Sequence, residues 1–244
     1  MKLIIADSYE AASLEASKIL LEQIKENPSS HLGLATGSTP LKLYEYMVAD
    51  FKENGTSYKD IKSFNLDEYF GLEGTHPQSY RYFMMENLFN HVDILPENIH
   101  VPAGQGDIQE NCDAYNAMLA TEGVDLQLLG IGSNGHIGFN EPGTPFTQVT
   151  HCIELEEGTR QDNARLFFDG NIDEVPTHAV TMGIKNIMDS KKVLLMAFGE
   201  NKAEPIRVLV EGEVSVDVPA SVLQNHPDVT IIIDKAAASK LTKK

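Results

Sequence analysis

VDLQLLGIGSNGHIGFNEP, residues 124–142, carries both the clearest fold signal of the chain and its most unusual chemistry. The first eight residues are almost continuously apolar and run into glycine. Such a run fits a strand buried on both faces, as in the middle of a parallel sheet. The same pattern recurs at 192–198 (KVLLMAF) and 229–233 (VTIII). Shorter apolar runs at 2–6, 32–35 and 61–66 read as further strands. The stretches between them have helical spacing. After Ser8, a good capping residue, Ala12, Leu14, Ala16, Ile19, Leu20 and Ile24 recur near the helical period, and Asn27-Pro28 stops the helix. Residues 78–89, 108–120, 201–209 and 219–225 also read as helical. Pro40 suits the first turn of a helix capped by Ser38 or Thr39. Strands alternating with helices imply βαβ units. The expectation is an α/β three-layer sandwich with a mostly parallel sheet covered on both faces. No repeat, low-complexity segment or linker divides the chain, so residues 1–244 read as a single domain.

Composition narrows the function classes. With 42% hydrophobic and 23% charged residues, the 244-residue chain can bury a substantial core. It carries 19 basic and 36 acidic side chains, a formal charge of −17. That field repels nucleic acid and anionic membrane surfaces, so neither is expected as a partner. It repels a phosphorylated metabolite too, so a phosphate site must be built locally from backbone N–H groups and placed cations. Cys112 and Cys152 show neither metal-ligand spacing nor a disulfide framework, which points to a reducing, cytoplasmic setting. The opening MKLIIADSYEA is too short in its apolar part for a signal peptide. No stretch approaches the ~20 apolar residues of a membrane span.

Ligands of open parallel α/β sheets bind beyond the carboxyl ends of the strands. Four segments there carry suitable groups. TGSTP, from Thr36, joins a strand to a helix. Gly37 lets the backbone approach an anion, Ser38 and Thr39 add hydroxyls, and the helix start adds unpaired N–H groups. It lacks the spacing and Lys-Ser/Thr ending of a P-loop, and a plain capped turn is the competing reading. In GSNGHIGFNEP, His136 can exchange protons near neutral pH and Glu141 can orient it. Asn134 is placed to hydrogen-bond the same cluster. Taken alone, the commoner reading of such a histidine has it capping a backbone carbonyl with Glu141 solvated. Asp67 follows a strand beside aromatic residues, which can raise a carboxyl pKa and make it a base. A turn or cap role is the commoner fate of such an Asp. Arg165, in NARLFF, and Lys202, in GENK, are surface cations on one reading and a phosphate clamp on the other.

The order of these segments matters more than any one of them. TGSTP, NLDEYFGL followed by HPQSY, GIGSNGHIGFNEP and the stretch ending in NARLFF resemble, in that order, the glucosamine-6-phosphate deaminases. The similarity runs from the first strand to about Asp234. It implies a Rossmann-like fold shared with 6-phosphogluconolactonases, and conversion of glucosamine 6-phosphate and water to fructose 6-phosphate and ammonia. It implies no metal and no cofactor. By position, Asp67 resembles the base that shuttles a proton between carbons 1 and 2. His136 resembles the group that opens the pyranose ring, and Glu141 the carboxylate that supports it. Thr36, Gly37, Ser38, Thr39, Arg165 and Lys202 match phosphate-binding positions. Some members have Asp where this chain has Asn134, so His136 leans electrostatically on Glu141 alone. Allosterically activated hexameric members carry basic residues soon after the NEP motif and a longer C-terminal tail. Residues 146–154 (FTQVTHCIE) hold no Lys or Arg, so a monomer or homodimer is expected rather than a hexamer, without activation by N-acetylglucosamine 6-phosphate. Segments after NLDEY and around 148–157 are candidate lids. A lactonase of the same fold and a non-catalytic sugar-phosphate sensor are the rival readings.

Overall fold

The computed structural model describes residues 1–155 and 157–242, apart from the side chains of residues 159, 162, 163, 166 and 167. Along the chain run β1 (Lys2–Ala6), α1 (Tyr9–Glu26), β2 (His31–Leu34), α2 (Leu41–Asn54), β3 (Lys62–Asn65) and β4 (Asp67–Phe70). Next come α3 (Tyr80–Asn87), β5 (Ile99–His100), α4 (Ile108–Glu122), β6 (Leu126–Leu129), β7 (His151–Glu154) and α5 (Glu157–Phe167). The last third contains β8 (His178–Thr181), α6 (Ile184–Met188), β9 (Lys192–Ala197), α7 (Ala203–Glu211) and β10 (Val229–Asp234).

The long apolar runs become the middle of a parallel sheet of seven described strands, in the order β1-β10-β9-β6-β2-β3-β5. All four residues of β6 are buried, as are Val193 to Ala197 of β9 and Ile231 to Ile233 of β10. Each fully buried Leu or Ile contributes roughly 1.5–3 kcal/mol, which makes these strands the core of the molecule. β1 lies at an edge and is correspondingly less covered. Ser8 caps α1 as expected, its Oγ accepting from the Ala11 N–H at 3.2 Å.

Strand order also locates the site. From β2 the chain moves one way, through α2 to β3; from β6 it moves the other way, to β9 and β10. Parallel crossovers are right-handed, so connections running in opposite directions put their helices on opposite faces. The loops leaving β2 and β6 therefore diverge, and a crevice opens between them at the carboxyl end of the sheet.

A second, antiparallel sheet, β4-β8-β7, is the main departure from the sequence-based expectation. The chain leaves β3, passes Leu66 and starts β4 at once. Leu66 still touches both sheets: its N–H donates to Leu34 O at 3.1 Å and its carbonyl accepts from Met182 N–H at 2.7 Å. Around the small sheet lies a separate apolar cluster that includes Tyr69, Phe139, Leu155, Phe168 and Ala179. Local details differ as well. Pro40 is the residue before α2 rather than its first turn, and neither Ser38 nor Thr39 caps that helix. Residues 219–225 form a 3-10 helix, and 201–202 belong to a 3-10 turn before α7. Among the described residues, no helix is long and apolar enough to cross a membrane.

Candidate active site

A cavity of about 660 Å³ occupies the crevice. Its wall is made of the segments after β2, β3, β6 and β9, joined by the start of α3 and by Arg165 from α5. Of the predicted residues, Thr36, Gly37, Ser38, Thr39, Asp67, His136, Arg165 and Lys202 line it directly. Asn134 and Glu141 stand behind His136.

At one end lies the TGSTP loop. Gly37 has φ +94°, a conformation L side chains rarely adopt. The loop is held from α1. The Tyr9 hydroxyl lies 3.0 Å from Ser38 O and 3.2 Å from Thr39 O, within reach of a donated hydrogen bond to either, and accepts from the Lys42 N–H at 3.1 Å. Tyr9 thus takes over the capping role expected of Ser38 or Thr39, which leaves their hydroxyls available to a ligand. The Tyr9 ring meets Phe198 edge-on, with centroids 5.0 Å apart. Phe198 in turn lines the cavity beside Asn201 and Lys202. The TGSTP loop, Arg165 and Lys202 thus line the same cavity, a set of N–H groups, hydroxyls and cations of the kind that holds an anion.

The loop after β6 carries Asn134, His136 and Glu141. It turns tightly, with Gly135 N–H donating to Gly132 O at 3.0 Å and Gly132 N–H to His136 O at 2.9 Å. A Cβ on Gly132 would overlap the His136 imidazole, so any side chain there would displace it. Glu141 is buried, 6% exposed. Its Oε2 accepts from Asn134 Nδ2 at 2.6 Å, and its Oε1 lies 3.3 Å from His136 Nδ1. The latter approach is not aligned as a hydrogen bond, so Glu141 supports the imidazole electrostatically rather than by a closed bond. Asn134 also accepts the His136 N–H, at 3.2 Å. It is thereby the hinge pin between the two groups.

Asp67 faces the cavity from the corner between the sheets, opposite Thr181 in the β4–β8 register. Thr181 Oγ1 accepts from Phe139 N–H at 3.1 Å, and Asn140 Nδ2 donates to both Ile137 O and Met182 O at 2.8 Å. The small sheet and the histidine loop are therefore one rigid assembly. Asp67 is 7% exposed. Burial, and secondarily the neighbouring Glu68 carboxylate, push it up to about 8. Such a group takes a proton readily and can return it near neutral pH. Tyr69, Tyr80 and Phe139 form the adjacent aromatic wall, with Tyr69 and Tyr80 centroids 4.7 Å apart.

Sequence reasoning missed Tyr9, Thr181, Asn140 and Glu68. Tyr9 reads as one more residue of an amphipathic helix start, and Thr181 sits in an unremarked HAVT segment. Only the adjacency of Glu68 to Asp67 offered a signal. Of the candidate lids, residues 71–79 are joined to the 103–105 turn by Gly71 N–H to Gly104 O at 2.7 Å and turn on themselves through Ser79 N–H to His76 O at 2.9 Å. The other, 148–157, contains β7; Glu156 lies outside the described residues.

An open α/β sheet with cations, hydroxyls and acid–base side chains around one cavity at its switch point is the arrangement of a small-ligand α/β enzyme. The chain belongs to the family of glucosamine-6-phosphate isomerases and 6-phosphogluconolactonases, whose model matches residues 6–232. It is 51% identical to a glucosamine-6-phosphate deaminase of Geobacillus sp. (strain WCH70), over 98% of this chain and 95% of the relative. Identity to that of Clostridium novyi is 49%, over 99% and 100%. Among solved structures, a monomeric glucosamine-6-phosphate deaminase superposes with a TM-score of 0.95 at 46% identity, covering 98% of this chain and 99% of the other. A 6-phosphogluconolactonase from Trypanosoma cruzi shares the fold, with TM-score 0.78 at 20% identity over 99% and 97%.

Proposed function

We propose that this protein is a glucosamine-6-phosphate deaminase, converting glucosamine 6-phosphate and water to fructose 6-phosphate and ammonia. The observation that carries the reading is one cavity lined by a buried Asp67, by His136 with Glu141 behind it, and by the donors and cations around the TGSTP loop. Near-50% identity to deaminases over the whole chain supports it.

The phosphate sits among Thr36, Gly37, Ser38, Thr39, Arg165 and Lys202, which fixes the reacting carbons relative to Asp67. His136 gives a proton to the ring oxygen and the pyranose opens. Glu141, oriented by Asn134, stabilises the charged imidazole. Asp67, as carboxylate, removes the proton on carbon 2 of the open aldehyde. Protonation at carbon 1 of the resulting enolamine leaves an imine at carbon 2. Water adds there, ammonia departs, and the ketone of fructose 6-phosphate remains. Each proton transfer contributes about 10²–10⁴ in rate. A lactonase would need no carbon-2 base, and Asp67 held near 8 favours the deaminase.

The same reading makes the protein cytoplasmic and a monomer or homodimer, with no nucleic-acid partner. It also makes it insensitive to N-acetylglucosamine 6-phosphate, since 146–154 offer no cation to a second phosphate. The deciding assay is release of ammonia from glucosamine 6-phosphate with fructose 6-phosphate measured in parallel. Equal appearance of both is expected. Binding without turnover would point to a sensor, and hydrolysis of 6-phosphogluconolactone instead would point to the lactonase.

A further inference from the structure

Asp67 and Glu68 are neighbours in β4, so their side chains leave opposite faces of the small sheet. Asp67 lines the main cavity. Glu68 lines a second hollow, of about 510 Å³, on the far side, with Leu72, Arg81 and Val101. Glu68 is only 2% exposed. Its Oε1 accepts the N–H groups of Tyr69 at 2.9 Å and Tyr80 at 2.8 Å, and its Oε2 accepts that of Arg81 at 3.0 Å. Tyr80 and Arg81 are the first residues of α3.

Capping alone does not account for this burial. The helix already has a cap: Ser79 Oγ accepts from Tyr82 N–H at 3.0 Å and donates to Gly74 O at 3.1 Å. A buried carboxylate is a costly way to add a second one. Glu68 does two things that Ser79 cannot. It ties the strand bearing Asp67 to Tyr80 and Arg81 at the start of α3, and Tyr80 with the preceding Pro77, Gln78 and Ser79 forms one wall of the cavity. It also keeps a charge on the blind side of Asp67.

Resting on the deaminase reading above, we propose that Glu68 is a positioning residue of this site, which locks the start of α3 to the Asp67 strand and holds a second carboxylate behind the catalytic carboxyl. A base that must take a proton from carbon works better as its own proton affinity rises toward the operating pH. The Glu68 charge acts in that direction on Asp67. The other groups around the pair leave this role to Glu68. Tyr80 of α3 and Tyr115 of α4 face Asp67 as phenols held neutral by burial. His136 lines the same cavity from the loop after β6. Burial pushes Glu68 up, while its three N–H partners and, to a smaller extent, the Arg81 side chain of α3 favour its ionised form.

The test separates charge from reach in the full-length enzyme. In Glu68→Gln, the limb of kcat/KM that reports Asp67 should move down by about one pH unit, the size of a close like-charge effect, and KM should rise. In Glu68→Asp the charge stays but the shorter chain loses the α3 N–H groups, so KM should rise with the limb near its original place. If Glu68 merely caps α3, both variants lower Tm and raise KM while the limb does not move, and the proposal fails. Carbon-13 carboxyl NMR gives a readout that needs neither activity nor a folded Glu68 variant. In Asp67→Asn, removal of the partner charge should lower the Glu68 titration, because the coupling is reciprocal. An unchanged Glu68 titration would overturn the proposal even if no ammonia were ever released; absent ammonia with a shifted titration would instead remove only the deaminase reading.

Discussion

Asp67 is held in a state that folding alone would not choose. Its folded-state pKa of about 8 lies above the ordinary value of 3.8, so between those two pH values the native protein binds a proton that the unfolded chain has released. Stability contributed by this group is complete below about pH 4 and is lost as pH rises through 8. Asp67→Asn removes the titration. Thermal melts should show the variant more stable than the parent at pH 9, with the difference gone near pH 4; equal melting curves at pH 9 would contradict the burial argument. The same substitution should lower kcat by about 10²–10⁴ and stop exchange of the carbon-2 proton with solvent. In the parent, kcat/KM should climb with pH toward 8 as the carboxylate forms. A stability gain paired with a loss of turnover is what a buried functional carboxyl predicts, and a merely structural Asp would show the reverse.

At the scale of elements, the site depends on short loops held by distant partners. The TGSTP loop takes its shape from Gly37 and from a hydroxyl donated by α1, 29 residues away from Ser38. Tyr9→Phe keeps the edge-on ring contact with Phe198 and deletes the hydrogen bonds to Ser38, Thr39 and Lys42. A lost hydrogen bond of this kind costs around 1 kcal/mol. Steady-state kinetics should therefore show KM for glucosamine 6-phosphate raised roughly three- to tenfold with kcat little changed, since phosphate anchoring is affected and proton transfer is not. A drop in kcat at constant KM would show that Tyr9 serves the acid–base end instead.

For the whole molecule, an excess of negative charge surrounds a site for an anionic ligand, so the cations lining that cavity, Arg165 and Lys202, carry unusual weight. A second phosphate site would need cations of its own. Residues 146–154 supply none, and His151 within them is pushed toward its neutral form by burial. Rates measured across a titration of N-acetylglucosamine 6-phosphate should stay flat apart from weak competition, and sedimentation should give a monomer or dimer. Strong activation, or a hexamer, would disprove this part of the reading.

Apolar runs, Gly, Pro and Asn punctuation, and the order of four short motifs were enough to point to an α/β sandwich, a carboxyl-end crevice and eight of the residues that line its cavity, because each is a local property of the chain. What needed the folded protein was pairing across long separations. DEYF, HCIE and HAVT are short and mixed in polarity, so no periodicity marks β4, β7 and β8, and their antiparallel sheet exists only once Asp67 meets Thr181. Likewise Ser38 and Thr39 read as helix caps until Tyr9 arrives from α1 to take that role. The raised proton affinity of Asp67 belongs to the same class. It comes from burial between two sheets and from a carboxylate on the opposite face, and desolvation is a property of the assembled structure that no stretch of sequence contains.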